Sequence, residues 1–216
     1  MSPPDATPVP SPLDGLFDGR GFDHDAAAGT STNPAGERVT FATPSFLRGL
    51  HHVLQAEKSG AWPATFKQCG VVTGRQVAVG LDAEFARRGQ PALGALPLET
   101  SLLFIENYFA SHGWGLLKLD LADAAEHGLV TAHLQHGYFA EAFTDAAEFV
   151  DPLLAGILQG FFEHVSGVEL GCDEIACVRR GAPECIFVVT AAERLATVAP
   201  LLGRATAAEI IARLKA

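Results

Sequence analysis

The chain has 216 residues, 48% of them hydrophobic, and a formal net charge of −10. This size suits one well-packed domain with or without a tail, and the acidic balance disfavours nucleic acid and anionic membranes as partners. A run of about 18 apolar residues is absent from the sequence, which therefore predicts no transmembrane helix.

The N-terminal segment, residues 1–38, is rich in Pro, Ala, Gly, Asp, Ser and Thr and has no sustained hydrophobic periodicity. We interpret residues 1–38 as a disordered or loosely docked tail and residues 39–216 as the ligand-binding domain. The first residues lack the basic region and apolar stretch of a secretory signal, so we expect a cytoplasmic protein. Thiols stay reduced in that compartment, which disfavours disulfides.

Three helices are predicted in the first half of the domain. Thr43 suits a cap and Pro44 a first helical position, and apolar residues follow at helical spacing. The second helix runs through "PATFKQCGVVTGRQVAVGLDAEFARRG", where Gly70, Gly74 and Gly80 either weaken the helix or permit close packing. The third is predicted in "LPLETSLLFIENYFASHG", where every third or fourth residue is apolar.

The second half changes to alternating apolar and polar residues. "WGLLKLDL" and "GLVTAHLQHG" predict half-buried strands, and residues 168–173 and "CIFVVT" predict two more. Between these pairs, "DPLLAGILQGFFEHVSG" predicts a largely buried helix because its apolar stripe is broad. Thr190 and Thr206 each begin a Thr-Ala-Ala-Glu sequence that fits a capping box. The order of elements predicts an α+β fold, with helices packed on a four-stranded antiparallel sheet.

Three of the four cysteines lie in "ELGCDEIACVRRGAPECIFVVT". If the chain reverses at Gly181, Cys177 and Cys185 face each other with their β-carbons about 5 Å apart. Two thiolates at that separation are able to share one divalent metal ion. Glu174, three residues before Cys177, is a third candidate ligand.

A closed tetrahedral site needs a fourth ligand, for which Cys172 and Asp151 are the candidates. Cys172 and Glu174 share strand parity, whereas Cys177 has the opposite parity. A bulge or bend near Ile175 is therefore required to gather the ligands.

Each candidate also has a purely structural interpretation. Asp151, just before a proline, fits a helix cap better than a ligand. Cys172 fits the core as well as it fits a metal site, and Cys69 is remote and predicted to pack as a small apolar residue. Glu174 fits a solvent-facing position as well. Spacing alone leaves a metal site and a plain hairpin equally open.

The segment "GCDEIACVRRGAPECIFVV", together with the upstream "HGWGLLKLDL", resembles the 4-vinyl reductase domain over roughly residues 43–200. That family includes bacteriochlorophyll 4-vinyl reductase, the sensor modules of phenol- and xylene-responsive bacterial activators, and archaeal hydrocarbon-binding proteins. Because no ATPase module or DNA-binding helix-turn-helix follows the domain, the chain is most similar to the stand-alone reductase type.

The resemblance implies a fold like that of TRAPP subunits, in which helices and a sheet enclose an apolar pocket, often in a homodimer. In the sensor branch a structural zinc ion is held by Cys, Glu, Cys and Cys, and the last three match Glu174, Cys177 and Cys185. Asp151 stands at the first position. Either Asp151 replaces that cysteine, or Cys172 takes its place, or the site binds metal weakly or not at all.

Two functions follow from the resemblance. The first is binding of a vinyl-bearing tetrapyrrole intermediate of bacteriochlorophyll biosynthesis, as 4-vinyl reductase or as a carrier that works with other enzymes of that synthesis. The second is binding of a small aromatic or hydrocarbon molecule as a sensor that acts through a partner protein.

Reduction requires a nicotinamide, a flavin or an iron–sulfur donor. The sequence has no dinucleotide-binding glycine motif and no cysteine set for an iron–sulfur cluster, so we predict no bound redox cofactor and leave catalysis open. Binding of a flat apolar ligand is better supported, although each residue also fits an ordinary core. The candidate pocket residues are Phe104, Phe109, Trp114, Tyr138, Phe139 and Phe161.

Overall fold

The computed structural model describes residues 12–16, 22–33, 38–56 and 62–216. The chain divides into two compact units, Met1–Phe41 and Ala42–Ala216. In the first unit, three short strands form an antiparallel sheet in the order β1-β2-β3. Strands of two or three residues are too short to show alternation, so the sequence did not predict them. They are β1 (Asp23–Asp25), β2 (Thr30–Thr32) and β3 (Arg38–Val39).

The second unit contains the helices and the larger sheet. The three long helices predicted in its first half and the long helix before the cysteine hairpin are all present. In the described part of this unit the helices are α1 (Pro44–Ala56), α2 (Trp62–Arg87), α3 (Leu98–Ser111), α4 (Ala124–His127), α5 (Tyr138–Ala142), α6 (Pro152–Ser166), α7 (Ala192–Ala196) and α8 (Ala207–Lys215). None of the helices in the described ranges is both long and apolar enough to cross a bilayer.

The four-stranded sheet has the order β4-β5-β7-β6, and every neighbouring pair is antiparallel. The fold class predicted from the sequence, helices packed on a four-stranded antiparallel sheet, is confirmed. Because β5 and β7 are central, the long helix α6 joins a central strand to the edge strand β6. The strands are β4 (Leu116–Asp120), β5 (Val130–Gln135), β6 (Leu170–Ala176) and β7 (Cys185–Ala191).

Helix α6 is the centre of the packing. It contacts β6 and β7 of the sheet and has its most extensive contacts with α2. More than half of its residues are buried, as its broad apolar stripe predicts. A separate apolar cluster joins the sheet to the C-terminal helices through Leu129, Ile175, Val188, Leu195, Val198, Ile210 and Leu214.

Helices α2 and α6 touch through glycines. Gly70 and Gly74 on α2 face Gly156 and Gly160 on α6, and we call these four residues the glycine crossing. A Cβ atom at Gly74 would lie 2.1 Å from the carbonyl oxygen of Ile157, far inside van der Waals contact. Close packing is therefore the correct interpretation for Gly70 and Gly74.

Two of the four predicted helix caps, those at Thr43 and Thr206, are present. The Thr43 hydroxyl accepts from the Phe46 amide at 3.3 Å, and Thr206 forms a capping box with Glu209. The capping box at Thr190 is wrong. Thr190 still belongs to β7, where it pairs with Gly171, and its hydroxyl donates to the carbonyl oxygen of Gly128 at 3.0 Å. Sheet pairing thus carries the strand past the position where the local pattern predicts a helix start.

Candidate metal centre

The cysteine hairpin reverses where the sequence predicts. After Cys177 a short 3-10 turn, Val178–Arg180, leads to Gly181, whose φ of +88° lies in the left-handed region that glycine tolerates. The amides of Arg180 and Ala182 both donate to the carbonyl oxygen of Cys177. The turn places the Sγ atoms of Cys177 and Cys185 3.8 Å apart, and both thiols are free.

The bulge required by strand parity is present in β6. Glu174 pairs with Phe187 and Ala176 pairs with Ile186, so Ile175 is the extra residue. The bulge changes the parity of the residues after Ile175 and brings Cys177 to the same face as Glu174. The predicted bulge is therefore confirmed.

Asp151 approaches the hairpin from the start of α6. It occupies the N-cap position, but its side chain makes no cap hydrogen bond. Its backbone amide instead donates to Oε2 of Glu174 at 3.0 Å. The prediction that Asp151 is a helix cap is thus wrong for the side chain, because the carboxylate is directed into the cysteine cluster.

Four ligand-type side chains therefore meet in one place, and we call Asp151, Glu174, Cys177 and Cys185 the metal centre. One ligand atom from each lies within 4.8 Å of the others, and all four residues are buried. Both carboxylate oxygens of Asp151 and Oε1 of Glu174 are buried without a hydrogen-bond partner. Buried acceptors of this kind are costly to leave unsatisfied, and a cation satisfies them. The donor set of two thiols and two carboxylates fits zinc.

The pKa values of all four groups in the metal centre are shifted from their usual values. Burial raises the pKa of Asp151 to about 7, and burial together with the neighbouring Asp151 raises the pKa of Glu174 well above its usual value. The Cys185 thiol donates to Cys177 and lowers the pKa of Cys177 to about 6, whereas that same bond raises the pKa of Cys185. Four acidic groups in one dry site do not ionise together unless a cation is bound.

Cys172 lies outside the metal centre. It is fully buried on the same face as Glu174, and burial raises the pKa of its thiol. Cys172 is not among the side chains whose ligand atoms lie within 4.8 Å of one another. Cys69 is exposed on α2, so the prediction that it packs as a small apolar residue is wrong.

Five of the six predicted pocket residues form two aromatic groups. Phe104 stacks on Phe161, with ring centroids 5.9 Å apart, and Trp114 stacks on Phe139 at 5.8 Å. Tyr138 contacts Trp114 edge-on. Phe109, like Phe104, Phe139 and Phe161, is buried in the core.

The surface cavities of the described part of the domain include the following two. One of about 190 Å³ borders Lys67, Asp173 and Glu174, and the other, of about 310 Å³, lies between α1 and residues 143–146. None of the six predicted aromatic residues lines either cavity. No local sequence pattern indicates the first cavity, because Lys67 and Asp173 are 106 residues apart in the chain.

The fold and the buried donor cluster define a class of protein: an α+β domain with a candidate metal centre at a β-hairpin. No protein-family model matches the chain, and no curated protein sequence matches it. Among solved structures, the phenol-responsive sensory domain of the transcription activator PoxR, with phenol, is similar at a TM-score of 0.64 and 16% identity, over 94% of this chain and 96% of that one. This likeness establishes the shared fold.

Two further structures are similar at lower scores. A vinyl-4-reductase family protein from Methanocaldococcus jannaschii has a TM-score of 0.47 and 17% identity, over 73% of this chain and 85% of that one. Subunit 3 of a trafficking protein particle complex from Naegleria fowleri, covalently bound to palmitic acid, has a TM-score of 0.48 and 12% identity, over 68% of this chain and 90% of that one.

Proposed function

We propose that the metal centre binds one zinc ion, which fastens the start of α6 to the β6–β7 hairpin. The observation that carries this proposal is the meeting of four buried ligand-type side chains within 4.8 Å, three of whose carboxylate oxygens lack a hydrogen-bond partner. Bound zinc supplies the positive charge that allows two thiolates and two carboxylates to coexist in a dry site. Four protein ligands close the coordination shell, which is typical of a structural site.

Helix α6 adds a second source of positive charge. Asp151 precedes its first turn, and the N-terminus of a helix carries roughly half a positive charge. Four ionised ligands around one divalent ion leave a net charge of about −2. The helix terminus offsets part of that charge, which supports a carboxylate at the position of Asp151.

Metal content measured on the purified protein tests this proposal. We expect about one zinc per chain in the wild type and a large loss in Cys177→Ser. Cys69→Ser, at an exposed position, is the matched control and should retain the metal. Cys172→Ala distinguishes the alternative fourth ligand: retained zinc supports Asp151, and lost zinc supports Cys172.

We infer further that the domain binds a small, flat, apolar molecule as a sensor or binding module acting through a partner protein. This inference is supported by the likeness to the PoxR sensory domain over nearly the full length of both chains, and by the stacked aromatic pairs in the core. These aromatic pairs line neither the cavity of about 190 Å³ nor that of about 310 Å³, so a ligand held between the rings requires them to move apart. A ligand the size of a single aromatic ring requires the smallest movement.

Binding of a vinyl-bearing tetrapyrrole in bacteriochlorophyll biosynthesis, as reductase or as carrier, is the second candidate. It is supported by the resemblance of the hairpin from Glu174 to Cys185 to the 4-vinyl reductase domain. A tetrapyrrole is far larger than either cavity, so this function requires the packed aromatic groups to separate on binding. An external electron donor would have to supply any reduction.

Ligand screening separates the two functions. Phenol and related single-ring compounds should raise the melting temperature if the first is correct, because only a ligand of the folded state stabilises it. A shift of the Soret band of divinyl protochlorophyllide at micromolar protein would support the second instead. Phe161→Leu should reduce the effect of the true ligand, whereas Phe85→Leu, at a buried position on α2, should lower stability without changing the ligand effect.

We also propose that the domain forms a homodimer through α1. Three apolar residues at helical spacing, Phe46, Leu50 and Val53, are exposed on this helix. Contiguous exposed apolar side chains of this kind mark interaction surfaces. Light scattering should give a dimer mass for the wild type and a monomer mass for Leu50→Glu with Val53→Glu; a monomeric wild type would refute the proposal.

A further inference from the structure

The cavity of about 190 Å³ lies against the metal centre. Its walls come from α2, from the start of α6 and from β6. Glu174, a proposed metal ligand, lines it directly, and Phe149 and Pro152, which lie on either side of Asp151 in the sequence, line it as well. Neither cysteine lines this cavity, so it borders the carboxylate side of the metal centre.

An ion pair stands in the wall of this cavity. Nζ of Lys67 lies 2.5 Å from Oδ1 of Asp173, and the two side chains are 30% and 26% exposed, so the pair lies at the boundary with solvent. Lys67, Asp173 and Glu174 are the charged residues that line the cavity. The ammonium group of Lys67 repels an approaching divalent cation. It also neutralises the carboxylate of Asp173, which would otherwise attract the cation.

The ligands of the metal centre are themselves closed off. All four are buried, and Glu174 is 5% exposed. Its Oε1 atom has no hydrogen-bond partner and is therefore available to an incoming ion. A metal ion must reach the four buried ligands by some path through the protein. The cavity extends from solvent to one of these ligands, Glu174.

We propose that this cavity is the route by which the metal ion enters and leaves, and that the Lys67–Asp173 pair is its gate. The proposal rests on the metal centre described under the proposed function. Glu174, the one proposed ligand that lines the cavity, would be the first of the four to contact an incoming ion. The gate controls the rate of exchange, whereas the four ligands determine the affinity.

Zinc exchange kinetics on the full chain test the route. Zinc uptake, and transfer of bound zinc to a chromophoric chelator, are followed by stopped flow, and the equilibrium Kd is measured separately by competition. Lys67→Met removes the repelling charge and keeps the apolar stem. We expect its association rate constant to rise about fivefold, as expected for one unit charge near a divalent ion at the solvent boundary. The release rate should also rise, so that Kd changes less than the rates.

Blocking the cavity should have the opposite effect. Ala64 is an exposed wall residue, and Ala64→Phe narrows the opening without entering the core. We expect uptake and release to slow together by about tenfold or more with Kd unchanged, because an obstruction on the path alters neither end state. Circular dichroism and melting temperature establish that each variant is folded.

Two control variants match these changes. Arg75→Met breaks another ion pair of α2, in which Nη2 of Arg75 lies 2.5 Å from Oε2 of Glu163; neither residue lines the cavity. Gln68→Phe adds the same ring as Ala64→Phe at an exposed position that does not line the cavity. Both should exchange zinc at the wild-type rate.

The possible failures are distinguishable. A wild-type chain that takes up no zinc would overturn the metal centre and this proposal together. Zinc bound with normal affinity, but with unchanged rates in Lys67→Met and Ala64→Phe, would overturn the route alone. Equal acceleration in Lys67→Met and Arg75→Met would also overturn it, because the effect would then come from overall charge.

Discussion

Helix α6 makes two contacts, one at its N-terminus and one in its middle, and they are stabilised in opposite ways. At its N-terminus, Asp151 meets three other acidic side chains in the metal centre. Two turns further on, Gly156 and Gly160 meet α2 at the glycine crossing, where side chains are absent and backbones touch. The first contact depends on the charge state of its groups and on a cation, whereas the second depends only on shape. The N-terminus of α6 therefore responds to solution conditions, whereas the middle of the helix does not.

Removal of the metal should have the largest effect. At free zinc about 1,000 times Kd, a bound ion stabilises the folded state by about 4 kcal/mol. We expect a chelator to lower the free energy of unfolding by about that amount in the wild type, as measured by denaturant titration. Cys177→Ser should show no further loss on chelation, and an equal chelator effect in that variant would contradict the assignment.

The glycine crossing should be disrupted by a single methyl group. In Gly74→Ala the new Cβ would lie 2.1 Å from a backbone oxygen of α6, so the helices must separate. Overpacking of this kind costs up to about 3 kcal/mol. Gly80→Ala is the matched control, since nothing lies within 4 Å of that position, and it should stabilise α2 by up to about 1 kcal/mol. The same chelator effect in Gly74→Ala as in the wild type would show that the two regions act independently.

Substitution of Asp151 tests whether its side chain acts as a helix cap or as a metal ligand. Asn caps helices as well as Asp does, so Asp151→Asn should leave the metal-free stability unchanged if the position is a cap. If Asp151 is instead a metal ligand, its loss should weaken zinc binding by at least about tenfold. That is the smallest loss usually seen when a residue hydrogen-bonded to a metal ligand is removed. Competition titration with a chelator measures this change. Unaltered zinc affinity would restore the cap interpretation.

The smallest effect is the pH dependence of the free energy of unfolding. Its sign should differ between the metal-free and the zinc-bound protein. Burial raises the pKa of Asp151 to about 7 in the metal-free fold, from 3.8. The folded state then binds more protons than the unfolded chain between these values, so metal-free stability falls as the pH rises from about 4 to 7. With zinc bound the ligands must be deprotonated, so stability rises with pH over that range. Gly74→Ala should lower both curves without changing their slopes.

Much of the fold could be predicted because its elements carry strong local patterns. The broad apolar stripe of α6, the alternation in β4 and β5, and the Thr206 capping box all acted as predicted. Thr190 failed because pairing of β7 with β6 outweighed a local helix-start signal. The strands of the first unit were missed because two or three residues do not establish a period.

The candidate site was only partly predictable. The Glu174-x2-Cys177-x7-Cys185 spacing identified three members, because a glycine turn and one bulge bring them together within a single hairpin. The fourth was left between Asp151 and Cys172, since the choice depends on how α6 approaches the sheet. Lys67, contributed by a helix 106 residues away from Asp173, had no local signal at all.

The sequence by itself determined the long helices, the four strands of the larger sheet and the hairpin, because their periodicity and turn residues act over a few positions. Only the tertiary structure decided that Asp151 joins Glu174 and the two cysteines instead of capping its own helix. The packing of α6 explains both its contact with the hairpin at its N-terminus and its contact with α2 in its middle. The glycines allow α6 to lie close against α2, and its contacts with β6 and β7 direct its N-terminus onto the hairpin. Such a placement depends on contacts between distant segments, which no local pattern records.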